Sequence, residues 1–408
     1  MRQYKQTGDI FFPEIPDDWD MIRGRGCFKE NKDKNAGLQQ RRLLQFCYGN
    51  IIRKERQEIH QDEEETIKKY TIVKPGDIII NGLNLNYDFV TQRVGLATED
   101  GAITSAYLSV RCRDIYSPDY AAYVLRMLDA RKVFNGMGTG IRMTLGYREF
   151  SRMNFPLPPK HEQDRIASYL DAKVSALDRL SELTWRQAGL LAEYRERLIL
   201  DAVTGADCQE RRDVGLSWVK SIPAHWETIR LKYICTFKAG KNLTSADINP
   251  DKGAYQVYGG NGIRGYYGKH NVDGPCLVIG RQGALSGNVH RIKEKIWATD
   301  HAVITKTNPS LNIDYAYYML TAMNLNRYAG DKAAQPGIAV SIIKDLRGIL
   351  PPIDEQKRIA DYLDDKTEKI SRLNAILLRK TALLKEYRTR LIYDAVTGHI
   401  EELSRDAG

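Results

Sequence analysis

The sequence predicts a mixed α/β chain: two similar globular domains, separated by two long helices that pair as an antiparallel coiled coil about an internal pseudo-two-fold axis. Three observations carry this. First, a block recurs without a gap. Glu162-Gln163 and Asp201-Ala202-Val203-Thr204-Gly205 return 193 residues later as Glu355-Gln356 and Asp394-Ala395-Val396-Thr397-Gly398, and 27 of the 48 positions from 158 to 205 are identical in the two copies. Second, both copies show helical periodicity with no internal proline. Third, the segments ahead of each copy have strand and turn character and differ far more from each other. Solenoid repeats recur every ~20–50 residues, so a period this long marks a duplicated half instead.

In order along the chain, residues 1–157 form a first domain. Tyr70-Thr71-Ile72-Val73-Lys74-Pro75-Gly76-Asp77-Ile78-Ile79-Ile80 reads as strand, Pro-Gly turn and strand. A polar loop with Asn81, Gly82, Asn84, Asn86 and Tyr87 follows, then a turn-and-strand segment at Asp100–Tyr107. A glycine-rich loop, Gly136–Arg142, precedes the first repeated block. Residues 158–205 are the first long helix, punctuated by Pro158-Pro159 before it and Gly205 after it. Ile166, Leu170, Leu177, Leu180, Leu191 and Leu198 fall on alternating four–three spacing, the pattern of a coiled-coil seam. About 41 helical residues at ~1.5 Å each span roughly 60 Å. Residues 206–214 are a linker, and 215–350 a second domain rich in glycine loops. Residues 351–401 are the second helix, with Ile359, Leu363, Ile370, Leu373, Leu377, Leu384 and Leu391 on the same slots, and 402–408 a tail. One long amphipathic helix cannot bury its stripe alone. The two stripes bury each other or, alternatively, each packs on its own domain.

The chain of 408 residues is 42% hydrophobic, enough for two cores and the helices. Its six cysteines make no C-x-x-C pair, which predicts reduced thiols in a cytoplasmic protein, and no signal core or membrane span is evident. The net charge of +9 is unevenly placed: about −1 and about +1 on the repeated blocks, about +3 on 1–157 and about +7 on 206–350. Basic variable domains on neutral helices suggest domains that meet a polyanion and helices that meet protein.

The repeated blocks open on Leu157-Pro158-Pro159-Lys160-His161-Glu162-Gln163 and Leu350-Pro351-Pro352-Ile353-Asp354-Glu355-Gln356, and both close on Asp-Ala-Val-Thr-Gly. The variable segments open on Ile15-Pro16-Asp17-Asp18-Trp19 and Ile222-Pro223-Ala224-His225-Trp226. With these motifs duplicated in one order over nearly the whole chain, the protein resembles the specificity subunit of type I restriction–modification systems. The resemblance implies two α/β target-recognition domains, each reading one half of a bipartite double-stranded DNA site. It implies that the helices fix the gap and dock two methyltransferase subunits, with motor–nuclease subunits joining for cleavage.

Amides pair bidentately with adenine and arginine with guanine in the major groove. On that chemistry the candidate DNA contacts are Asn81, Asn84, Asn86 and Arg142 in the first domain. In the second they are Asn261, Arg264 and Tyr266 from Tyr258–Tyr267, Arg281 and Gln282 from Gly280-Arg281-Gln282-Gly283, Asn288 and Gln335. A solvated loop is the alternative for each asparagine and a surface salt bridge for each arginine. His290 and His301 read as structural, since no metal-ligand spacing surrounds them. No Walker loop and no Asn-Pro-Pro-aromatic segment is present, the nuclease-like Glu30-x-Lys32 is a match of two residues that chance supplies often, and the acidic run Asp62-Glu63-Glu64-Glu65 reads as a solvated face, so the expectation is a non-catalytic subunit with no cofactor and no metal. The competing readings are a self-contained DNA-modifying enzyme and a coiled-coil scaffold that never meets DNA.

Overall fold

A computed structural model describes residues 2–55, 60–61, 63–139, 143–282, 286–329 and 337–404, the side chain of residue 404 excepted. The chain divides into two compact units, Met1–Thr184 with Arg379–Gly408, and Trp185–Leu378.

Each unit is built on a four-stranded antiparallel sheet. In the first unit its strands are β1 (Phe28–Glu30), β2 (Ile78–Ile80), β3 (Val94–Leu96) and β4 (Leu108–Cys112), in the order β1-β4-β2-β3. In the second they are β5 (Cys235–Ala239), β6 (Cys276–Gly280), β7 (Val289–Ile292) and β8 (Ala302–Thr307), in the order β5-β8-β6-β7. The same order in both units is the structural form of the duplication. A continuous apolar strand is buried on both faces. Ile78 and Ile80 of β2 accordingly join the main core, while Ile79 faces a second one with Leu44, Ile51 and Val73. In β6, Leu277 and Ile279 face the main core, and Cys276 and Val278 a smaller one.

Four long helices complete the units: α1 (Pro118–Ala130), α2 (Lys160–Val203), α3 (Ile313–Ala322) and α4 (Ile353–Val396). Proline at the first position starts α1. The Asn312 side chain caps α3 by accepting from the Asp314 and Tyr315 N–H groups, both at 2.9 Å. In the first unit Ile166, Leu170 and Val174 at the start of α2 share a core with Leu391, Ile392 and Ala395 at the end of α4. Arg388 Nε donates to Asp178 Oδ1 at 2.8 Å alongside them. In the second unit Ile199 and Val203 at the end of α2 share a core with Ala360 and Leu363 at the start of α4. Start meets end in both units, so the helices run antiparallel.

The expected seam residues divide by burial. Ile166, Leu170, Leu363 and Leu391 are buried, and Leu177, Leu191, Leu198, Ile359, Ile370, Leu377 and Leu384 are half-buried. Leu180 and Leu373 are exposed, at 38% and 46%. The buried line of α2 runs through Leu170, Val174, Leu177, Ser181, Thr184, Ala188 and Leu191. Every other slot is therefore one residue later than the spacing read from the leucines. The reason is that several inward positions hold small or hydroxylated side chains, which carry no hydrophobic signal. Among the described residues, no helix is long and apolar enough to cross a membrane.

Candidate nucleic-acid interface

The duplicated motifs meet in space, once per unit. In the first, Trp19 Nε1 donates to Glu162 Oε2 at 2.9 Å. Gln163 Nε2 donates to the Pro158 and Ile115 carbonyls, both at 2.9 Å, and Gln163 Oε1 accepts from Ser117 N at 2.7 Å. Gly398, at φ +80°, lies against Pro16 and Trp19, and Tyr120 Oη donates to the Val396 carbonyl at 2.9 Å. The second unit repeats this. Trp226 Nε1 donates to Glu355 Oε2 at 3.0 Å, Gln356 binds the Pro351 and Ser310 carbonyls and the Asn312 N–H, and Gly205, at φ +58°, lies against Pro223 and Trp226. Burial works to raise the Glu355 carboxyl, but hydrogen bonds from Trp226 and His225 outweigh it and hold the group below its usual range. The motifs thus clamp a domain onto the entry of one helix and the exit of the other, and fix where its loops point.

Those loops occupy equivalent places in the two domains. In the first, the segment 81–92 leaves β2 and returns to β3. It is organised around Arg93, whose side chain is 1% exposed. Arg93 Nη1 donates to the Asn81 and Leu83 carbonyls at 3.0 and 2.9 Å, and Nη2 to the Asp88 carbonyl at 2.8 Å. Asn135 Nδ2 donates to the Leu85 and Asp88 carbonyls at 2.5 and 3.0 Å. Asp88 Oδ1 accepts from the Val90 and Thr91 N–H groups, both at 2.9 Å. The Thr91 and Val90 N–H groups lower the Asp88 carboxyl to about 2. Two further loops abut this one. A β-carbon on Gly82 would lie 2.8 Å from the Leu145 carbonyl, and Leu85 N donates to the Met143 carbonyl at 3.2 Å. Gly49, in the tight turn Tyr48-Gly49, touches Gln92.

In the second domain the segment after β6 begins with Arg281 and Gln282. Arg281 N donates to the His301 carbonyl at 3.0 Å, and Ile338 N to the Arg281 carbonyl at 2.9 Å. A bridge pairs Gln282 with Gly337, matching the Gly82–Leu145 approach of the first domain. The hairpin Tyr255–Gly259 and Gly262–Tyr267 turns through Gly260-Asn261, and Gly260 and Gly280 pack backbone on backbone. Only residues without a β-carbon permit this contact, which brings the hairpin tip to the end of β6.

Asn261, Arg264, Arg281, Gln282 and Asn288 therefore converge on one edge of the second domain. Asn261, Arg264 and Asn288 are exposed and Arg281 and Gln282 half-buried. Among the described residues, Arg264 meets only Ser245 Oγ, at 3.5 Å, and the Arg281 guanidinium meets no carboxylate, so neither forms the surface salt bridge weighed above. Gln282 Oε1 pairs with His301 Nδ1, and among the described residues its Nε2 meets no partner. Tyr266 is half-buried and bridged to Asn249 through its backbone. His290 is half-buried beside Gly262 and the Tyr258 ring, and burial lowers its pKa. In the first domain Asn84 and Asn86 are exposed, and Asn81 is half-buried with its Oδ1 on Leu83 N at 3.2 Å. Arg142 and Gln335 lie outside the described residues.

The sequence reading missed Arg93 and Asn135, which hold the first loop; a buried arginine in Gln92-Arg93-Val94 carries no mark that a surface one lacks. Burial raises the thiols of Cys27, Cys112 and Cys235 to about 12, which makes them inert packing groups. Among the described residues no three His, Cys, Asp or Glu side chains cluster to hold a metal.

Residues 223–378 match the family model for the Type I restriction modification DNA specificity domain. Over 134 residues the chain is 47% identical to the Type I restriction enzyme EcoprrI specificity subunit of Escherichia coli, which covers 32% of this chain and 33% of that protein. It is 22% identical over 413 residues, 95% of each chain, to the putative type I restriction enzyme MjaX specificity subunit of Methanocaldococcus jannaschii. Among solved structures, a chain from a study of complex assembly and conformational transition of the type I R-M system superposes with a TM-score of 0.69 at 15% identity, covering 95% of this chain and 99% of that one. The HsdS subunit of Thermoanaerobacter tengcongensis gives 0.51 at 16% identity, covering 95% and 98%. At such identities the structures speak for the fold alone, and the sequence matches show that residues 223–378 carry a type I restriction modification DNA specificity domain and that the chain is similar to type I restriction enzyme specificity subunits, across about a third of the length of the first and nearly all of the second.

Proposed function

We propose that this chain is the non-catalytic DNA-recognition subunit of a type I restriction–modification complex, with each domain reading one half of a bipartite duplex site. The observation that carries the reading is the equivalence of the two loop sets. Each emerges from the same strand of the same sheet and is clamped to the helices by the same junction, while its side chains differ. Identical mounts with different tips suit two readers of two different sequences. In this reading the helices dock methyltransferase subunits, with motor–nuclease subunits completing the complex. Their exposed apolar side chains support this: Leu183, Trp185, Leu190 and Tyr194 on α2, and Ile376, Leu378, Leu383 and Tyr387 on α4. Exchanging residues 215–348 for the second domain of another family member tests it. Methylation mapping should then show one half-site changed and the other retained; a change in both halves would refute separate reading.

A further inference from the structure

The first domain's loop differs from its counterpart in chemistry. Between 81 and 92 the one charged residue is Asp88, and its carboxylate is engaged by backbone N–H groups. The tip turns apolar groups outward: Tyr87 is 81% exposed, Phe89 54% and Val90 92%. Such side chains on a slack loop would fold back under it. Here they cannot, because Arg93 and Asn135 fix the carbonyls of Asn81, Leu83, Leu85 and Asp88 from the inside. Tyr48, 76% exposed, stands on the adjoining turn.

This arrangement resolves a specific difficulty. A loop entering a base stack loses water from its backbone, and an unpaired carbonyl there would cost free energy. These carbonyls are already paired inward, so the outer surface offers rings and a branched aliphatic group. Lacking free cations, the tip gains little from phosphates. Its position after β2, where the second domain carries Arg281 and Gln282 after β6, puts it on the face assigned to DNA.

We propose that Tyr87, Phe89 and Val90 form a preorganised apolar wedge that enters the base stack of the first half-site and unstacks one step. Apolar wedges of this kind locally open and kink a duplex. The inference rests on the DNA-recognition reading above. The second domain, whose corresponding loop begins with Arg281, would read by hydrogen bonds, so the two halves would use different physics on one scaffold.

The test uses the full chain together with a type I methyltransferase subunit, and a duplex selected by that pair from a randomised pool. 2-Aminopurine replaces each adenine of the site in turn, and its emission rises where stacking is lost. Wild-type protein should brighten one step of the first half-site that the triple variant Y87S/F89S/V90S leaves dark. Any base displaced by the methyltransferase brightens with both proteins and so cancels. The variant should bind about 5- to 150-fold more weakly, the range of one lost base–side-chain stack. Its salt dependence should match wild type, since no cation is removed. The substituted side chains are exposed, so an unchanged melting temperature confirms the fold. Equal emission profiles and equal affinities would overturn the wedge and leave DNA recognition standing. Normal duplex binding with loss of the methyltransferase subunit would overturn it in favour of a protein-docking tip. Failure of the wild-type chain and methyltransferase subunit to select any duplex would overturn the DNA reading itself.

Discussion

Gly398 and Gly205 close the two junctions, and replacing each with alanine is the sharpest test of how the helices are held. Gly398 sits at φ +80° and Gly205 at φ +58°, in the left-handed region. An L residue there costs about 1–2 kcal/mol. A β-carbon on Gly398 would lie 2.5 Å from Pro16 Cγ and 2.7 Å from its Cδ, with Trp19 Cη2 at 3.1 Å. On Gly205 it would lie 2.5 Å from Pro223 Cγ and 2.9 Å from its Cδ, with Trp226 Cη2 at 3.0 Å. A proline ring cannot swing aside, so the backbone must shift, and overpacking of this kind costs about 1–3 kcal/mol. The expected total is ~2–5 kcal/mol for each substitution, similar at the two sites because the surroundings match. Amide hydrogen exchange locates the loss. G398A should speed exchange at Ala395–Thr397 and in the hairpin Tyr4–Gln6 and Glu14–Pro16. G205A should do so at Ala202–Thr204 and in the hairpin Arg211–Leu216 and Val219–Pro223. A change below about 0.5 kcal/mol, the level of a neutral surface substitution, would refute the clamp. So would equal exchange changes in both units from a single substitution.

Replacing Arg281 with alanine should cost ~1–3 kcal/mol at one position of the second half-site if the guanidinium reads guanine; uniform weakening with a shallower salt slope would assign it to phosphate. A competition titration over half-site variants at two salt concentrations separates the two. Replacing Leu190 and Tyr194 with serine should abolish co-purification of the methyltransferase subunit while leaving the melting temperature unchanged, since both are exposed. Inserting seven residues into each long helix adds about 10 Å and should lengthen the unread spacer by about three base pairs; an active complex with an unchanged spacer would contradict the ruler role. Asp88 has its pKa depressed in the folded protein, so its contribution is present above the unfolded value of about 4 and lost as pH falls through about 2. Fluorescence of Tyr87 against a Tyr-depleted background should therefore be flat from about pH 8 to about pH 4, and a transition near neutrality would show that the turn is not held by this carboxylate.

How much of this was legible in the residues follows from the kind of signal each feature leaves. The long helices were legible because forty residues of apolar period without proline admit little else, and the duplication because identity needs no physics to see. The position of the seam was not fully legible. Ala188 of α2 and Thr367 of α4 face inward and are buried, yet only size and neighbours distinguish them from surface residues. Leu180, one position before the inward Ser181, supplied an apolar residue at a slot that the structure leaves exposed. The strands were legible where Ile78-Ile79-Ile80 and Cys276–Ile279 run apolar without alternation. Their equivalence was not, because register and strand order are set by long-range pairing. The loop residues were found by residue type and turn chemistry. That Asn81 turns onto Leu83 N while Asn84 and Asn86 are exposed could not be read from the type they share.

The contrast between repeated and variable segments then has a mechanical reading. In both units Trp, Glu, Gln and Gly occupy positions where one hydrogen-bonding pattern and one left-handed backbone are required, so an exchange at any of them unfastens a domain. The loops carry no such shared requirement. Arg93 holds the first from within through backbone carbonyls, which every residue possesses, so its exposed side chains can change without loosening it. The second is fixed at its ends by backbone contacts, Gly260 against Gly280 and Gln282 against Gly337. A scaffold that attaches through side chains and presents its variable surface through backbone-held loops can change what it reads without changing how it stands. Substitutions at Tyr87 or Val90 should accordingly alter which duplex is chosen at constant stability, whereas substitutions at Trp19 or Trp226 should lower stability at constant choice.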